Sequence, residues 1–270
     1  MVARLRVPWA FVVRDFRIET SYKISFLLRV AAALVNIAVY YFIARVFGSA
    51  AAPYLQAYGG NYFAFVVIGV AFSDYLWLGI NALGSSIREG QATGTLELML
   101  LSPTRLATVL VSSTLWSYLF ASISVVVYLL GGTALGIQLD NANIPFALLS
   151  LAVAIVSFNA LGLFTASLVI LMKRGDPLGW LIRVSSVVLG GVFYPTSVMP
   201  GWMHTLSQLL PLTHALELIR RSLLNGEGWA ELRGELLILT ALTVVLFPLG
   251  LLACRLAVRV ARTDGSLSHY

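Results

Sequence analysis

The sequence predicts an all-α, polytopic membrane protein. It has six transmembrane helices, an N-terminal interfacial amphipathic helix, a short cytoplasmic helix between the second and third spans, and an outer re-entrant helical segment. Three observations predict this. Of 270 residues, 59% are hydrophobic and only 11% charged, and the mean hydropathy is +0.88, too apolar for an ordinary water-soluble domain. Six separate runs approach the ~20 apolar residues a helix needs to cross a bilayer. The basic residues gather on alternate connections, as cytoplasmic loops do. The chain therefore reads as one transmembrane domain, 1–270, in which residues 1–23, 88–103 and 195–232 do not span.

The elements follow in order. In VPWAFVVRDFRIE, Val7 to Glu19, the apolar Trp9, Val12 and Phe16, with Leu5, recur at spacings of three and four, while Arg6, Arg14 and Arg17 lie largely off that face. That pattern predicts a helix lying in the membrane interface. Arg4, Arg6, Arg14, Arg17 and Lys23 then precede a hydrophobic run longer than a signal-peptide core, with no A-x-A pattern after it, so the first span is expected to remain in the mature protein. The spans are read as Ile24 to Phe47, Tyr62 to Ile87, Leu106 to Ile137, Phe146 to Met172, Leu178 to Tyr194 and Leu236 to Val260. Ser102 before Pro103, and Asp176 before Pro177, supply an N-cap and a proline at the first helical position, opening the third and fifth spans.

Counting Lys and Arg sets the orientation. With the N-terminus inside, the cytoplasmic side holds the N-terminal cluster together with Arg88, Arg105, Lys173, Arg174, Arg255, Arg259 and Arg262. The outer side keeps Arg45, Arg220, Arg221 and Arg233. Both termini are therefore expected in the cytoplasm of a prokaryotic cytoplasmic membrane. The net charge of +6 is accounted for by anionic lipid beside these loops, and nucleic acid is not an expected partner.

Two non-spanning stretches carry most of the functional information. In REGQATGTLELMLLSP, Arg88 to Pro103, Gly90 and Gly94 interrupt the descending helix, and Thr95 to Leu101 can form only about two turns before the next span starts. Leu96, Leu98, Met99, Leu100 and Leu101 surround the lone acid Glu97. This is either a short helix shaped for a groove on a partner protein or a tight turn whose leucines dip into the membrane. On the outer side, Pro195, Pro200 and Pro211 cut the stretch Pro195 to Asn225 into pieces too short to cross, while Trp202, Leu206, Leu209 and Leu210 make them too apolar to float free. A re-entrant pair of short helices fits; a surface-lying amphipathic hairpin is the alternative.

Few residues offer chemistry. Asp74, with Asn81 seven residues on and hence on the same side of the second span, forms either a polar stripe along a route or dimer seam, or an interhelical hydrogen bond. Asn36 and Asn159 are read as packing residues. His204 and His214 have no further Cys or acid at ligand spacing, so no metal is expected. Glu217 stands at helical spacing from both Arg220 and Arg221 and is expected to form a local ion pair. Pro248 is expected to kink the last span, and Cys254 is the single cysteine, with no partner for a disulfide. There is no G-x-S-x-G or H-E-x-x-H, and no G-x-x-x-x-G-K-[ST] to cradle a nucleotide's phosphates.

EGQATGTLELMLLSP resembles the E-x-x-x-x-G-T-L-E-x-L-x-x-[ST]-P stretch of ABC-2 type permeases, the membrane subunits of ATP-driven exporters. GGVFYPTSVMPGWMHTLSQLLPLTHALELIR is similar to that family's second hallmark, G-x-F-x-P followed by M-P, a Trp and P-L-T-H near an Arg. The two occur in the expected order, and the resemblance extends over essentially the whole chain. It implies a six-helix half-transporter that pairs with a second copy or a paralogue, each half riding on a cytoplasmic ATP-binding-cassette ATPase that binds ATP and Mg. This chain then needs no cofactor of its own and is not itself an enzyme. By the same resemblance Glu89, Gly94, Thr95, Leu96, Glu97, Leu98, Ser102 and Pro103 belong to a coupling helix. Pro195, Pro200, Trp202, Pro211 and Glu217 belong to the outer re-entrant segment. Neither hallmark specifies the cargo; the apolar interior suits an amphiphilic drug, lipid or glycan. The competing expectation is a self-sufficient secondary carrier or channel with Asp74 as its ion or proton site.

Overall fold

The computed structural model describes residues 9–14, 16–17, 23–92, 106–172 and 177–263. Among them there is no strand. Eight helices follow residues 9–17: α1 (Lys23–Ala51), α2 (Tyr62–Ala92), α3 (Leu106–Ala134), α4 (Ile144–Met172), α5 (Pro177–Leu189), α6 (Gly201–Ser207), α7 (Pro211–Leu224) and α8 (Trp229–Thr263). Short 3-10 turns at Ala52–Tyr58 and Thr196–Val198 complete the connections. Residues 9–14 and 16–17 are helical, and Phe16 meets Trp116 of α3 edge to face at 5.5 Å.

Five helices, α1 to α4 and α8, are long and apolar enough to cross a membrane. The segment read as the fifth span, Leu178 to Tyr194, is the 13-residue α5. At a rise of ~1.5 Å per residue it is ~20 Å long, short of the ~30 Å hydrocarbon core. It stops because Gly191 takes the left-handed conformation (φ +75°), and Gly190 leaves no room for a side chain beside Leu212. The last helix runs unbroken past Pro248, and the third is shorter than expected, ending at Ala134 with Gly136 turning at φ +105°.

α2 sits at the centre, with 78% of its span buried against 11% for α1 and 17% for α8. Its long buried side chains Ile68, Tyr75, Leu76 and Ile80 join Phe158 of α4 and Leu212, Leu216 and Ile219 of α7, while Phe65 packs with Leu55 and Tyr58 in a second cluster. α4 packs most extensively on α8 and α2. The α2–α4 crossing is close because both helices present glycine: a Cβ on Gly162 would lie 2.0 Å from the Gly79 carbonyl oxygen, and one on Gly79 would lie 2.5 Å from Phe158 Cβ. Small residues of this kind let helix backbones approach where lipid gives no hydrophobic drive to associate. Thr165 Oγ1 uses the gap to donate to the Ile80 carbonyl at 2.8 Å, and Ser157 bonds Thr243 between α4 and α8.

Candidate functional site

The connections 52–61, 135–143 and 190–228 meet at one end of the bundle. Asn225 donates to the Ala57 carbonyl at 2.8 Å, and the Asn143 amide donates to the Ser222 carbonyl at 2.8 Å. Gly226, at φ +74°, passes so near that a Cβ there would be 2.4 Å from the Asn141 carbonyl oxygen. The prolines fall at the breaks of this assembly: Pro195 opens the second 3-10 turn, Pro200 precedes α6, and Pro211 starts α7. Pro195 and Pro211 are buried, whereas Pro200 and Trp202 are exposed.

Arg220 organises this end. Its side chain is 3% exposed and lies 3.5 Å above the Phe65 ring. Nε donates to the Phe65 carbonyl at 3.1 Å, Nη1 to Gly191 at 2.8 Å and Nη2 to Val192 at 2.8 Å. Burial pushes the guanidinium down to about 9, so it remains a cation at neutral pH. The carbonyls of Gly191 and Val192 are those that the break after α5 leaves without helical partners, and a planar fork of donors suits two adjacent acceptors. Gly69 makes room for the fork. The expected ion pair of Glu217 therefore forms with Arg221, at 3.5 Å, and not with Arg220. Arg221 also meets Glu227 at 2.5 Å, and Glu217 accepts a 2.5 Å hydrogen bond from Tyr58.

His214, 1% exposed, links α7 to α8. Its Nε2 is 2.8 Å from the Gln208 carbonyl, which can only accept, so Nε2 carries a proton; its Nδ1 is 2.7 Å from Glu235 Oε2. Burial opposes the charged imidazole. The bonds to Glu235 and to the Gln208 carbonyl, with the nearby carboxylates, outweigh it and raise the His214 pKa above its ordinary value. Neither this pair nor the carbonyl role of Arg220 is legible from local spacing, because the partners lie 21 and about 28 to 155 residues away.

Asp74 lies in a different place. It lines a half-open cavity of about 610 Å³ between α1, α2 and α3, with Arg29, Asn36, Trp116, Phe120 and Tyr128. Asp74 makes no hydrogen bond or ion pair among the described residues. Asn36 donates to Tyr128 Oη at 3.2 Å, so it both packs and lines the cavity. Asn81 is outside it, donating to the Trp77 carbonyl of its own helix at 2.9 Å. Asn159 bridges α4 to Tyr118 of α3 at 2.8 Å, a packing role. Glu89 is on the last turns of α2, while Gly94, Thr95, Leu96, Glu97, Leu98, Ser102 and Pro103 lie outside the described residues. Their place in the topology is plain: residues 93–105 join α2 directly to α3, two of the three helices that wall the cavity.

These features define a multi-pass helical membrane protein, with a glycine-packed core, a hydrogen-bonded cap at one end and a polar cavity within the bundle. The family profile described as ABC-2 family transporter protein matches residues 50–252, and the chain belongs to that family. It is thus a membrane component of a transporter. No curated protein matches the chain.

Proposed function

We propose that this chain is the permease subunit of an ATP-driven exporter, moving an amphiphilic or lipid-like molecule out of the cytoplasm together with a second copy or paralogue and a separate ATPase. One observation carries the reading: the stretch EGQATGTLELMLLSP, within a chain of the ABC-2 family, joins the central helix α2 to α3. A push delivered to residues 93–105 acts first on two walls of the Asp74 cavity. The chain has no phosphate-cradling G-x-x-x-x-G-K-[ST], so the work comes from another subunit, which binds ATP and Mg.

Six crossings with both termini cytoplasmic remain the best account of the topology. α5 continues into the non-helical residues 190–195, which are largely buried. Irregular backbone at membrane depth is tolerated where protein covers it and satisfies its polar groups, and Arg220 does this for Gly191 and Val192. α6 and α7 then form the re-entrant pair that caps the exit. Affinity purification from native membranes in mild detergent tests the partnership: an ATP-binding-cassette ATPase is expected to come with the chain, and recovery without one would refute it.

A second reading, a self-sufficient carrier, is favoured by the carboxylate of Asp74, which has no partner among the described residues. It requires uptake or efflux in liposomes on a proton or sodium gradient, with no ATPase present.

A further inference from the structure

We infer that the cavity walled by α1, α2 and α3 is a binding site, within a single subunit, for an amphiphilic organic monocation, with Asp74 as counter-charge and Trp116 and Tyr128 as faces for its apolar body. The inference deepens the permease reading by naming a ligand class. As a statement about binding, it is testable on the chain alone.

Asp74 is about 12 residues, hence ~18 Å, along α2 from Tyr62, well inside the segment long and apolar enough to cross a membrane. A carboxylate at such depth is unfavourable unless it is paired, protonated or hydrated. No side chain among the described residues pairs with it, although the cavity around it holds Arg29 and Asn36. Arg29 has its guanidinium 4.9 Å from the Phe120 ring centroid, seven residues and so about 10 Å along α1 from Asn36. Arg183 covers the Trp77 ring. Arg29, and Arg183 beside the lining residue Trp77, therefore already have aromatic faces, whereas the anion has no partner among the described residues.

The walls suit an amphiphile better than a bare ion. Two tryptophans, a phenylalanine and a tyrosine line the space, and aromatic faces attract organic cations as well as apolar surface. A volume of about 610 Å³ lies in the range of small-molecule sites, far more than a sodium ion needs. Arg29 in the same lining disfavours dications, and with Phe120 already facing Arg29 the ligand's ammonium is assigned to Asp74 and its apolar body to Trp116 and Tyr128.

Three dansyl-octyl probes that differ only in their head, ammonium, hydroxyl or carboxylate, test this by fluorescence titration of the whole chain in lipid nanodiscs. The ammonium probe is expected to bind at least roughly tenfold more tightly than the hydroxyl probe, the scale of one charge-assisted hydrogen bond. Asp74→Asn should abolish that preference, with an unchanged SDS-unfolding midpoint showing the variant to be folded; Trp116→Ala should weaken binding of both probes. Equal binding of all three probes, or a preference that survives Asp74→Asn, overturns the assignment. Displacement by sodium where choline has no effect would give the carboxylate to a small ion and overturn it as well. Failure of ATP-driven transport with intact probe binding would count against the permease reading only, and the reverse pattern against this site only.

Discussion

Replacing Gly69 by alanine tests how the two parts of the fold are joined. A Cβ there would lie 2.2 Å from Arg220 Nη2 and 2.6 Å from the Val192 carbonyl oxygen. A long side chain normally moves aside, but this one is held by three hydrogen bonds of 2.8 to 3.1 Å, and the carbonyl is backbone. Each bond to a charged group contributes about 1.5–3 kcal/mol, so displacing the fork from Gly191 and Val192 should cost about 3 kcal/mol or more. Arg220→Met should cost a similar amount, about 3 kcal/mol, because it orphans two buried carbonyls at about 1–3 kcal/mol each while relieving the desolvation of the cation. In the double variant the methyl group meets no guanidinium, so the losses should fall short of their sum by at least about 1 kcal/mol. The assay is unfolding in SDS mixed micelles, followed by tryptophan fluorescence, for all four proteins. Simple additivity would show that Gly69 does not act through Arg220.

Three further predictions follow from the structure. Gly162→Ala places a methyl group 2.0 Å from the Gly79 carbonyl oxygen, where neither backbone can yield without separating α2 from α4; overpacking of this kind costs about 1–3 kcal/mol, read by the same unfolding assay. The raised pKa of His214 means that its contact with Glu235 stabilises the cap fully below the ordinary histidine value of about 6.5 and loses that contribution as pH rises through the higher folded value. Thermal unfolding should therefore show wild type losing stability above about pH 6.5 while Glu235→Gln loses little. Replacing Glu97 and Leu98 together by alanine should lower cargo-stimulated ATPase activity of the assembled transporter and leave membrane insertion intact, and unchanged stimulation would remove the coupling role of that segment.

The hydrophobic runs made most of the helices legible, because a span is a length of apolar sequence and little else. α1 to α4 and α8 lie where those runs are. α5 was less legible: the apolar run continues through Val192 and Phe193, but Gly191 at φ +75° ends the helix first. The prolines at 195, 200 and 211 did mark the breaks around α6 and α7, since each removes a backbone donor a continuing helix would need. Spacing offered Glu217 both Arg220 and Arg221. Only the packing of α7 against α2 shows that Arg220 is turned inward to carbonyls from a distant stretch. Asp74 and Asn81 share a side of α2 by periodicity, yet only Asp74 reaches the cavity, because the walls α1 and α3 converge around it and Asn81 bonds back to its own helix.

In the proposed function, work done by a separate nucleotide-hydrolysing subunit moves cargo through this chain. The most direct measurement is transport in proteoliposomes containing the chain, with and without its ATPase, under ATP or under an ion gradient alone. Movement is expected only when both proteins and ATP are present, and movement driven by a gradient through the chain alone would refute the need for a separate ATPase.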